Sequence, residues 1–473
     1  MEEQRAFMRK RAEENRAYAE QSGRMRRYFI ETFGCQQNEA DSERLAGMAE
    51  EMGYAHADKP EDADLILVNT CAVREHAEKR AFSVTGQYKH LKEKNPELVI
   101  GVCGCMVSQE TRKEKVRHSY PYVSLLFGTS MLYRFPEILD AYLTTGKRQF
   151  FLDAGDDGNI AEGIPVCRAD KKRAWVSIMY GCNNFCTYCI VPYVRGRERS
   201  RRPEAVLEEV RTLALGGCRE ITLLGQNVNS YGRDLPDGWD FPRLLEAVCA
   251  VPGDFRVQFM TSHPKDASER LFDVMAAQPK IAHRMHLPLQ SGSDRVLAAM
   301  NRRYTAEDYL KKLDYLREKI PDITVTSDII AGFPTETEAE FEETLDIVRR
   351  VGFDQLFTFI YSPRTGTPAS LLEQIPEDVK QDRLKRLIDL QNAIALEKNE
   401  AMVGGIFSVL VEGRSRTDAS VFAGRTEGGK IVHFAADDSQ TGSVVRVKIT
   451  RAGNFNLYGT ITDENDKNEN GGL

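Results

Sequence analysis

The interpretation of this chain starts from the stretch Gly181-Cys182-Asn183-Asn184-Phe185-Cys186-Thr187-Tyr188-Cys189, which places three cysteines at the spacing C-x3-C-x2-C. Thiolate is the soft, charged ligand that iron-sulfur clusters require. In a cubic 4Fe-4S cluster, three thiolates bind three of the irons and leave the remaining iron free to bind a substrate. A closed zinc site needs a fourth ligand, and no second C-x2-C or H-x3-5-H lies nearby. The spacing therefore favours an open cluster, with zinc and structural or redox cysteines as alternatives.

The length, composition and charge of the chain limit the class of protein that it can be. Its 473 residues are enough for about three domains of ordinary size. Ten cysteines without a secretory signal favour metal or redox chemistry over a disulfide framework. No run approaches the ~18 apolar residues of a membrane span, so we expect a soluble protein. The cysteine usage fits a reducing cytosol and nothing in the sequence suggests an obligate oligomer, so we expect a cytoplasmic monomer. The net charge of -7 gives no overall sign of nucleic-acid binding, which depends on local charge.

The first part of the chain reads as an extension followed by an α/β domain. Residues 1–26 are charged with little apolar face, which predicts a solvated helix or a mobile arm without chemistry. In a domain over residues 27–145, apolar strands alternate with helices, the pattern of a small parallel sheet covered on both faces. The predicted strands are 28–30, 65–68, 98–102 and 123–127, and the predicted helices include 38–52 and 75–92.

Three cysteines of this domain each follow a predicted strand. Cys35 follows the first strand, Cys71 the second and Cys105 the third. The carboxyl ends of parallel strands form the edge at which open α/β sheets bind ligands, so these thiols can meet in space. The alternative is three small buried hydrophobes, because free cysteine is often part of a core. Their shared position favours a second cluster, with Cys103 lying behind Cys105.

The central part of the chain reads as a partial barrel. Residues 146–172 lack periodicity and predict a connection between domains. Six strand-then-helix units follow in a domain over residues 168–400, fewer than the eight of a closed barrel, so we expect an open (β/α)6 barrel. The opening motif lies in the loop after the first of these strands, where such a barrel places its site. The predicted strands are 175–179, 221–224, 255–259, 284–287, 324–330 and 355–360.

Other loops at the same end of the predicted barrel are polar, although each alone is more typical of a turn or a helix cap. His263 and His286 gain interest only because they share this end. Directly after the cysteine motif, residues 195–202 carry five arginines and one glutamate. A solvated loop and a phosphate contact through these arginines are both open for this run.

The last part of the chain predicts a small β-barrel. After a long helix at 376–402, five short alternating stretches with glycine-rich turns span residues 402–463 and suggest an OB-like barrel, a form often used on oligonucleotides. An accessory packing domain is the alternative. The polar tail 464–473 is predicted to be disordered. The five predicted strands are 407–411, 420–422, 430–434, 443–449 and 457–461.

These motifs resemble a known family over about residues 27–461. The trio of the opening stretch is similar to the signature of radical S-adenosylmethionine (SAM) enzymes. The upstream cysteines and a C-terminal barrel like a TRAM domain resemble the methylthiotransferase branch. The stretches 33–38 (Phe-Gly-Cys-Gln-Gln-Asn) and 260–264 (Met-Thr-Ser-His-Pro), with the run 286–305, resemble tRNA methylthiotransferases of the MiaB type. One departure is Gln37, where the family pattern C-Q-M-N has methionine.

The resemblance implies two 4Fe-4S clusters, SAM, a reducing electron donor and the anticodon stem-loop of tRNA as substrate, without a membrane partner. The reaction would add a methylthio group to C2 of N6-isopentenyladenosine, with a radical derived from SAM removing a hydrogen that no side-chain base could take. The alternatives are a methylthiotransferase for threonylcarbamoyladenosine in tRNA or for a ribosomal protein, and a non-catalytic iron-sulfur RNA-binding protein. The implied ligands of the SAM-binding cluster are Cys182, Cys186 and Cys189, and those of the auxiliary cluster are Cys35, Cys71 and Cys105. The resemblance also places Tyr188 near the adenine of SAM. By their position in the predicted barrel alone, Gly225, Gln226, Ser291 and Asp328 are candidate SAM contacts, and Arg195, Arg197, Arg199 and His263 are candidate substrate contacts.

Overall fold

The structure is a computed structural model that describes residues 1–73, 75–151, 160–415 and 418–462. These residues form two compact units, the first from residues 1–185 and 189–239, the second from residues 186–188 and those from Asp240 onward. Part of the predicted interdomain connection (152–159) and the predicted disordered tail lie outside the described residues. The domain boundaries set out above stay predictions.

A six-stranded sheet forms the first part of the first unit. All its neighbouring strands are parallel, in the order β2-β1-β3-β4-β5-β6. The predicted parallel sheet is therefore confirmed, and the two strands that were not predicted, β2 and β6, lie at its edges. The strands are β1 (Arg27–Thr32), β2 (Ala55–His56), β3 (Leu65–Thr70), β4 (Val99–Gly104), β5 (Leu125–Phe127) and β6 (Gln149–Phe151).

Helices cover both faces of this sheet. Alternate residues of β3 enter different cores: Leu65 and Leu67 pack in one, and Ile66 and Val68 in the other. The helix predicted at 75–92 is in fact two helices, separated at Tyr88. The helices are α1 (Glu2–Ser22), α2 (Gln36–Glu51), α3 (Glu75–Gln87), α4 (Lys89–Lys94), α5 (Glu110–Ser119) and α6 (Phe135–Thr145).

The N-terminal helix α1 is docked on this domain by polar contacts. Arg11 Nε donates to Asp140 Oδ1 at 2.6 Å, and Asn15 Nδ2 donates to Met52 O at 2.7 Å. Only Met8 adds a fully buried apolar side chain. The prediction of a helix is confirmed, whereas the alternative of a mobile arm is wrong, because buried hydrogen bonds hold a helix that has almost no apolar face.

The rest of the first unit frames the opening motif. Strands β7 and β10 pair in parallel, and the short strands β8 and β9 pair antiparallel on either side of the cysteine motif. Helix α8 begins at Pro203 and ends before Gly216. These elements are β7 (Arg173–Ser177), β8 (Met179–Tyr180), α7 (Val191–Arg195), β9 (Arg199–Ser200), α8 (Pro203–Leu215) and β10 (Glu220–Leu224).

The second unit continues the alternation of strands and helices. Strands β12, β13 and β14 pair in parallel. This unit holds the strands of four of the six predicted strand-then-helix units, and the strands of the other two, β7 and β10, belong to the first unit. Thr305 and Thr337 each cap a helix with a capping box, which fixes where α12 and α13 begin. The elements are α9 (Phe241–Cys249), β11 (Arg256–Phe259), α10 (Glu269–Ala277), β12 (Arg284–His286), α11 (Asp294–Ala299), α12 (Ala306–Lys319), β13 (Thr324–Ala331), α13 (Glu338–Val351), β14 (Gln355–Ile360) and α14 (Glu377–Glu400).

A closed five-stranded barrel ends the second unit, with the strand order β15-β16-β17-β19-β18. The predicted small barrel is confirmed, although its second strand begins at Phe422, where the prediction had it end. Val409, Phe422, Val432 and Val447 are among the side chains that fill its interior. Among the described residues, we find no helix with the length and apolar character that crossing a membrane requires. The strands are β15 (Ile406–Arg414), β16 (Phe422–Thr426), β17 (Ile431–Phe434), β18 (Val444–Ala452) and β19 (Asn456–Ile461).

Candidate metal centres

The three upstream cysteines lie at one edge of the six-stranded sheet. Cys35 follows β1, Cys71 follows β3 and Cys105 follows β4, and these strands are neighbours that run in parallel. Their segments touch: a Cβ placed on Gly34 would lie 2.7 Å from Cys71 Cβ, and Cys105 N donates to Thr70 O at 2.9 Å. The sheet thus brings together the three thiols that were predicted to meet.

Two buried asparagines fix the loops that carry these cysteines. Asn38 Nδ2 donates to Thr70 O at 2.9 Å, and Asn69 Nδ2 donates to Asn38 O at 2.9 Å. The Cys35 thiol lies 3.4 Å from Asn38 Oδ1. Gly104 has a φ of 96°, and a Cβ there would lie 2.4 Å from Thr70 O, so only glycine fits. The site is therefore held by its own hydrogen bonds.

Arg195 lies against this site, which corrects the prediction that it contacts RNA phosphate. Its side chain is only 6% exposed. Its Nε donates to Cys105 Sγ at 3.1 Å, and its Nη2 lies 3.0 Å from Asp41 Oδ2 and 3.4 Å from Asn38 Oδ1. The guanidinium is thus occupied inside the first unit and is not available to a phosphate on the surface.

The surroundings of the Cys105 thiol at this edge shift its pKa away from the ordinary value. Burial raises the pKa of its thiol to about 12, and the Arg195 guanidinium opposes that effect, while Cys71 and Cys35 add to it. Burial also raises the pKa of Cys103, which packs in the apolar core with Leu125 and Phe127. Cys103 therefore fits the role of a structural cysteine. The negative charge of a Cys105 thiolate would be compensated by the Arg195 guanidinium.

The donor set at this edge fits an iron-sulfur cluster. Three thiols converge, and a permanently charged guanidinium can offset the negative charge of bound thiolates. Within residues 1–73, 75–151, 160–415 and 418–462 no three Cys, His, Asp or Glu side chains are grouped to hold one metal ion. A cluster does not require such a group, because each thiolate binds a different iron and the sulfurs lie farther apart than around a single zinc ion.

The opening motif occupies the loop between β8 and α7. Cys182 and Cys189 belong to the first unit and Cys186 to the second. In the first unit, Cys182 N donates to Gly196 O at 3.1 Å, and Asn183 N donates to Glu198 Oε1 at 3.0 Å. Backbone and side-chain bonds therefore hold the start of the loop to the segment that follows α7.

A buried arginine that sequence reasoning missed lies beside Cys186 in the second unit. Arg302 Nη1 lies 3.4 Å from Cys186 Sγ and 3.5 Å from the Tyr188 hydroxyl oxygen, and Nη2 donates to Pro288 O at 2.9 Å. Its Nε donates to Tyr304 Oη at 2.9 Å. Arg302 thus organises one of the three thiols of the motif together with the tyrosine that precedes Cys189.

The residues predicted to contact SAM differ in their surroundings. The Oε1 of Gln226 is buried and accepts no hydrogen bond from the described residues, so a ligand could supply its donor. Asp328 Oδ2 lies 3.6 Å from His286 Nε2 on the neighbouring strand. The Ser291 hydroxyl already accepts from Ser293 N at 3.2 Å. Tyr188 packs beside the cluster of Phe333 and its neighbours. SAM contact at these residues and at Gly225 stays a prediction.

The remaining residues predicted to contact the substrate lie near the same loops. Arg197 is exposed, and its guanidinium lies over the ring of Phe185, inside the cysteine motif, at 4.6 Å. Arg199 is half-buried on β9. His263 is buried with its ring edge against Tyr304 at 5.8 Å. Substrate contact at these three residues stays a prediction.

Comparison with known families matches three parts of the chain. Residues 176–348 match the Radical SAM superfamily, residues 27–128 match the family described as Uncharacterized protein family UPF0004, and residues 400–462 match the TRAM domain. The first of these ranges holds the opening motif, and the second holds the three upstream cysteines.

Curated relatives extend over nearly the whole chain. A tRNA-2-methylthio-N(6)-dimethylallyladenosine synthase of Acetivibrio thermocellus is 51% identical over 93% of this chain and 92% of its own length. The protein of the same name from Caldicellulosiruptor saccharolyticus is 50% identical over 94% of this chain and 95% of its own. Among solved structures, the radical S-adenosylmethionine methyltransferase TsrM of Kitasatospora setae has a TM-score of 0.54 at 14% identity, covering 81% of each chain. That likeness shows the radical SAM fold and confirms the predicted partial barrel.

Proposed function

The chain belongs to the radical SAM methylthiotransferase family of the tRNA-2-methylthio-N(6)-dimethylallyladenosine synthases, and on that premise we propose how its residues serve the reaction. The reaction adds a methylthio group to C2 of N6-isopentenyladenosine beside the anticodon of tRNA. The observation that carries this function is the 51% identity over 93% of the chain to a protein of that name.

We assign an iron-sulfur cluster to each cysteine trio. Cys182, Cys186 and Cys189 would hold the cluster that binds SAM, and the three upstream cysteines would hold the auxiliary cluster. When bound, the two clusters and SAM supply one electron, a carbon radical able to remove the C2 hydrogen, and the sulfur and methyl that replace it. Support for the second cluster comes from the three converging thiols and the Arg195 guanidinium beside Cys105.

The chain's own residues orient and shield these centres. Arg302 donates to the Cys186 sulfur and to the Tyr188 hydroxyl, which lie on either side of Thr187 in the sequence. These bonds fix the direction of the thiol and of the tyrosine ring. Cys182 and Cys186 are each only 8% exposed, so bulk water has little access to their sulfurs. The buried Oε1 of Gln226 offers an acceptor for an amino group of SAM.

The small barrel offers a surface suited to RNA. The Arg451 guanidinium lies 3.7 Å from the centre of the Tyr458 ring, and the His433 ring lies 5.5 Å from the same ring. A stack of aromatic and cationic groups binds bases through their faces, while basic side chains contact phosphates. We propose that this surface of the barrel binds the anticodon stem-loop. We also propose that the enzyme is cytoplasmic and works with a reducing electron donor.

The nucleosides of tRNA test the assignment of the substrate. In a strain that lacks this gene, mass spectrometry of tRNA digests should show the loss of methylthio-isopentenyladenosine and the accumulation of isopentenyladenosine. Return of the wild-type gene should restore the methylthio nucleoside. An unchanged nucleoside profile would refute the proposed substrate.

A second assay separates an enzyme from an iron-sulfur protein that only binds RNA. The reconstituted protein is reduced without oxygen in the presence of SAM and the unmodified stem-loop. We expect 5'-deoxyadenosine and methylthiolated RNA from the wild type, and neither product from the Cys186→Ala variant. A wild-type protein that binds iron and RNA but releases no 5'-deoxyadenosine would contradict radical chemistry.

A further inference from the structure

A buried chain of hydrogen bonds leads from Cys105 to the first strand of the partial barrel, entirely within the first unit. Arg195 bonds to Cys105 Sγ at 3.1 Å and to Asp41 Oδ2 at 3.0 Å. Gln37 Nε2 donates to Asp41 Oδ1 at 3.1 Å and to Ser177 Oγ at 2.9 Å. Ser177 is the last residue of β7, and none of these five side chains is exposed.

Arg195, at the centre of this series of hydrogen bonds, has a fixed position and a fixed charge. Asp41 lies beside it with its own side chain 6% exposed, and Asp41 also bonds to Arg44 Nη1 at 3.2 Å. A guanidinium remains charged at any pH that a protein experiences. Because its N–H groups point at a carboxylate and at a thiol sulfur, Arg195 cannot turn away without leaving a buried charge unpaired.

Hydrogen bonds to cluster sulfurs and nearby charges set how readily an iron-sulfur cluster takes up an electron. Added negative charge is stabilised by a donor and a cation in a low-dielectric interior, and it is opposed by a carboxylate. We propose that Arg195 is a positioning residue that raises the reduction potential of the auxiliary cluster through Cys105, and that Asp41 moderates this effect. The inference rests on the proposed function, which puts a cluster on Cys105.

Gln37 fixes the carboxylate beside Arg195 from its other side, because its amide carries N–H groups to donate. Here the Gln37 amide joins Asp41 to Ser177, so the carboxylate beside Arg195 is fixed to the strand that leads into the opening motif. The orientation of the Gln37 amide agrees with these partners. Its nitrogen faces a carboxylate and a hydroxyl, whereas in the flipped orientation its oxygen would be repelled by the carboxylate.

The test isolates the auxiliary cluster. In a chain that carries Cys182→Ala, Cys186→Ala and Cys189→Ala, we expect about half of the wild-type iron to remain after anaerobic reconstitution, one cluster of two. The retained cluster is titrated with dithionite through redox mediators and followed by electron paramagnetic resonance. Each cluster takes up one electron from the reductant, and no bond is made or broken.

Two substitutions in that background should act in opposite directions. We expect Arg195→Gln to lower the equilibrium constant for reduction at least tenfold, because a positive charge and an N–H···S bond are lost. Asp41→Asn should raise the constant at least threefold, because a negative charge is lost while Arg195 remains. Arg201→Gln is the matched control: Arg201 is equally buried and ion-paired with Glu162 and Glu209, and its hydrogen bonds are to oxygens rather than to a cysteine. It should change the constant less than twofold.

The outcomes separate the inference from the proposed function. If the Arg195→Gln variant keeps its iron and its reduction constant lies within twofold of that of the triple-cysteine variant, the role of Arg195 is overturned. The proposed function is not affected by that result. If Arg195→Gln does not fold, Asp41→Asn decides the question, since an unchanged or lower constant in that variant contradicts the electrostatic argument. A folded triple-cysteine variant that binds no iron would instead overturn the auxiliary cluster itself.

Discussion

Gly181, the first residue of the opening motif, should be the most sensitive backbone position of that motif. Gly181 has a φ of 76°, in the left-handed region, and a Cβ there would lie 1.9 Å from Arg197 O. The bond from Cys182 N to Gly196 O and the pairing of β8 with β9 hold these two segments together. Gly181→Ala therefore cannot be accommodated unless the loop moves.

The size of the effect follows from two contributions. A left-handed alanine costs about 1–2 kcal/mol. The contact distance of 1.9 Å is far below the usual separation of a carbon and an oxygen, and such overpacking costs a further ~1–3 kcal/mol. Gly217 separates these two contributions, because its φ is 78° but a Cβ there would meet no atom within 4 Å. Gly217→Ala should show the conformational cost alone.

Thermal unfolding and iron analysis measure the two contributions. Both glycines lie in the first unit, so we expect Gly217→Ala to lower the melting temperature of that unit by about 2–6 °C and to keep all the iron. Gly181→Ala should lower it by about 5–15 °C and lose up to half of the iron, because the loop that carries Cys182 is displaced. A Gly181→Ala protein that matches Gly217→Ala in both measurements would refute the close approach of these segments.

Three further changes test other parts of the molecule. Arg302→Gln should lower 5'-deoxyadenosine formation at least tenfold, since glutamine cannot keep all the bonds of the guanidinium, whereas Arg303→Gln on the exposed neighbour should not. Tyr458→Ala should weaken binding of the anticodon stem-loop by ~1–3 kcal/mol in an anisotropy assay, the worth of one stacked base. Burial raises the pKa of Glu336 to about 7, although Gly332 N and Arg383 favour its charged form. The folded state therefore holds a proton that the unfolded state has released, so stability should fall by ~2–3 kcal/mol as pH rises from 5 to 7, and Glu336→Gln should remove that slope in urea titrations.

Strands and helices with long apolar patterns could be predicted from the sequence, and short edge elements could not. Strand β13 has eight residues and β3 has six, enough to display their pattern. Strand β2 has two residues and β6 has three, and they exist because a neighbouring strand offers its free edge. The break between α3 and α4 at Tyr88 follows Gly86, a weak helix former near the end of α3 that the single predicted helix 75–92 did not take into account.

The cysteines of the candidate site could be predicted because each follows a strand or belongs to a local motif, whereas the role of Arg195 could not. The run 195–202 contains buried Arg195 and Arg201 beside exposed Arg197. A charge run carries no period that would tell inward from outward side chains. Asp41, the carboxylate that holds Arg195, lies 154 residues away in sequence. Only the folded sheet shows that these two residues meet.

Arg302 was missed for a related reason, and its backbone shows why its position is significant. The residues on either side, Asn301 and Arg303, have φ values of 59° and 57°, so two left-handed residues that are not glycine flank it. Each such residue costs about 1 kcal/mol or more, and such strain persists only where the surroundings enforce it. Here the enforcing contacts are the bonds from the Arg302 guanidinium to Cys186, Pro288 and their neighbours. Strain concentrated around a residue that holds a thiol of the opening motif is the pattern expected where geometry matters more for function than for stability.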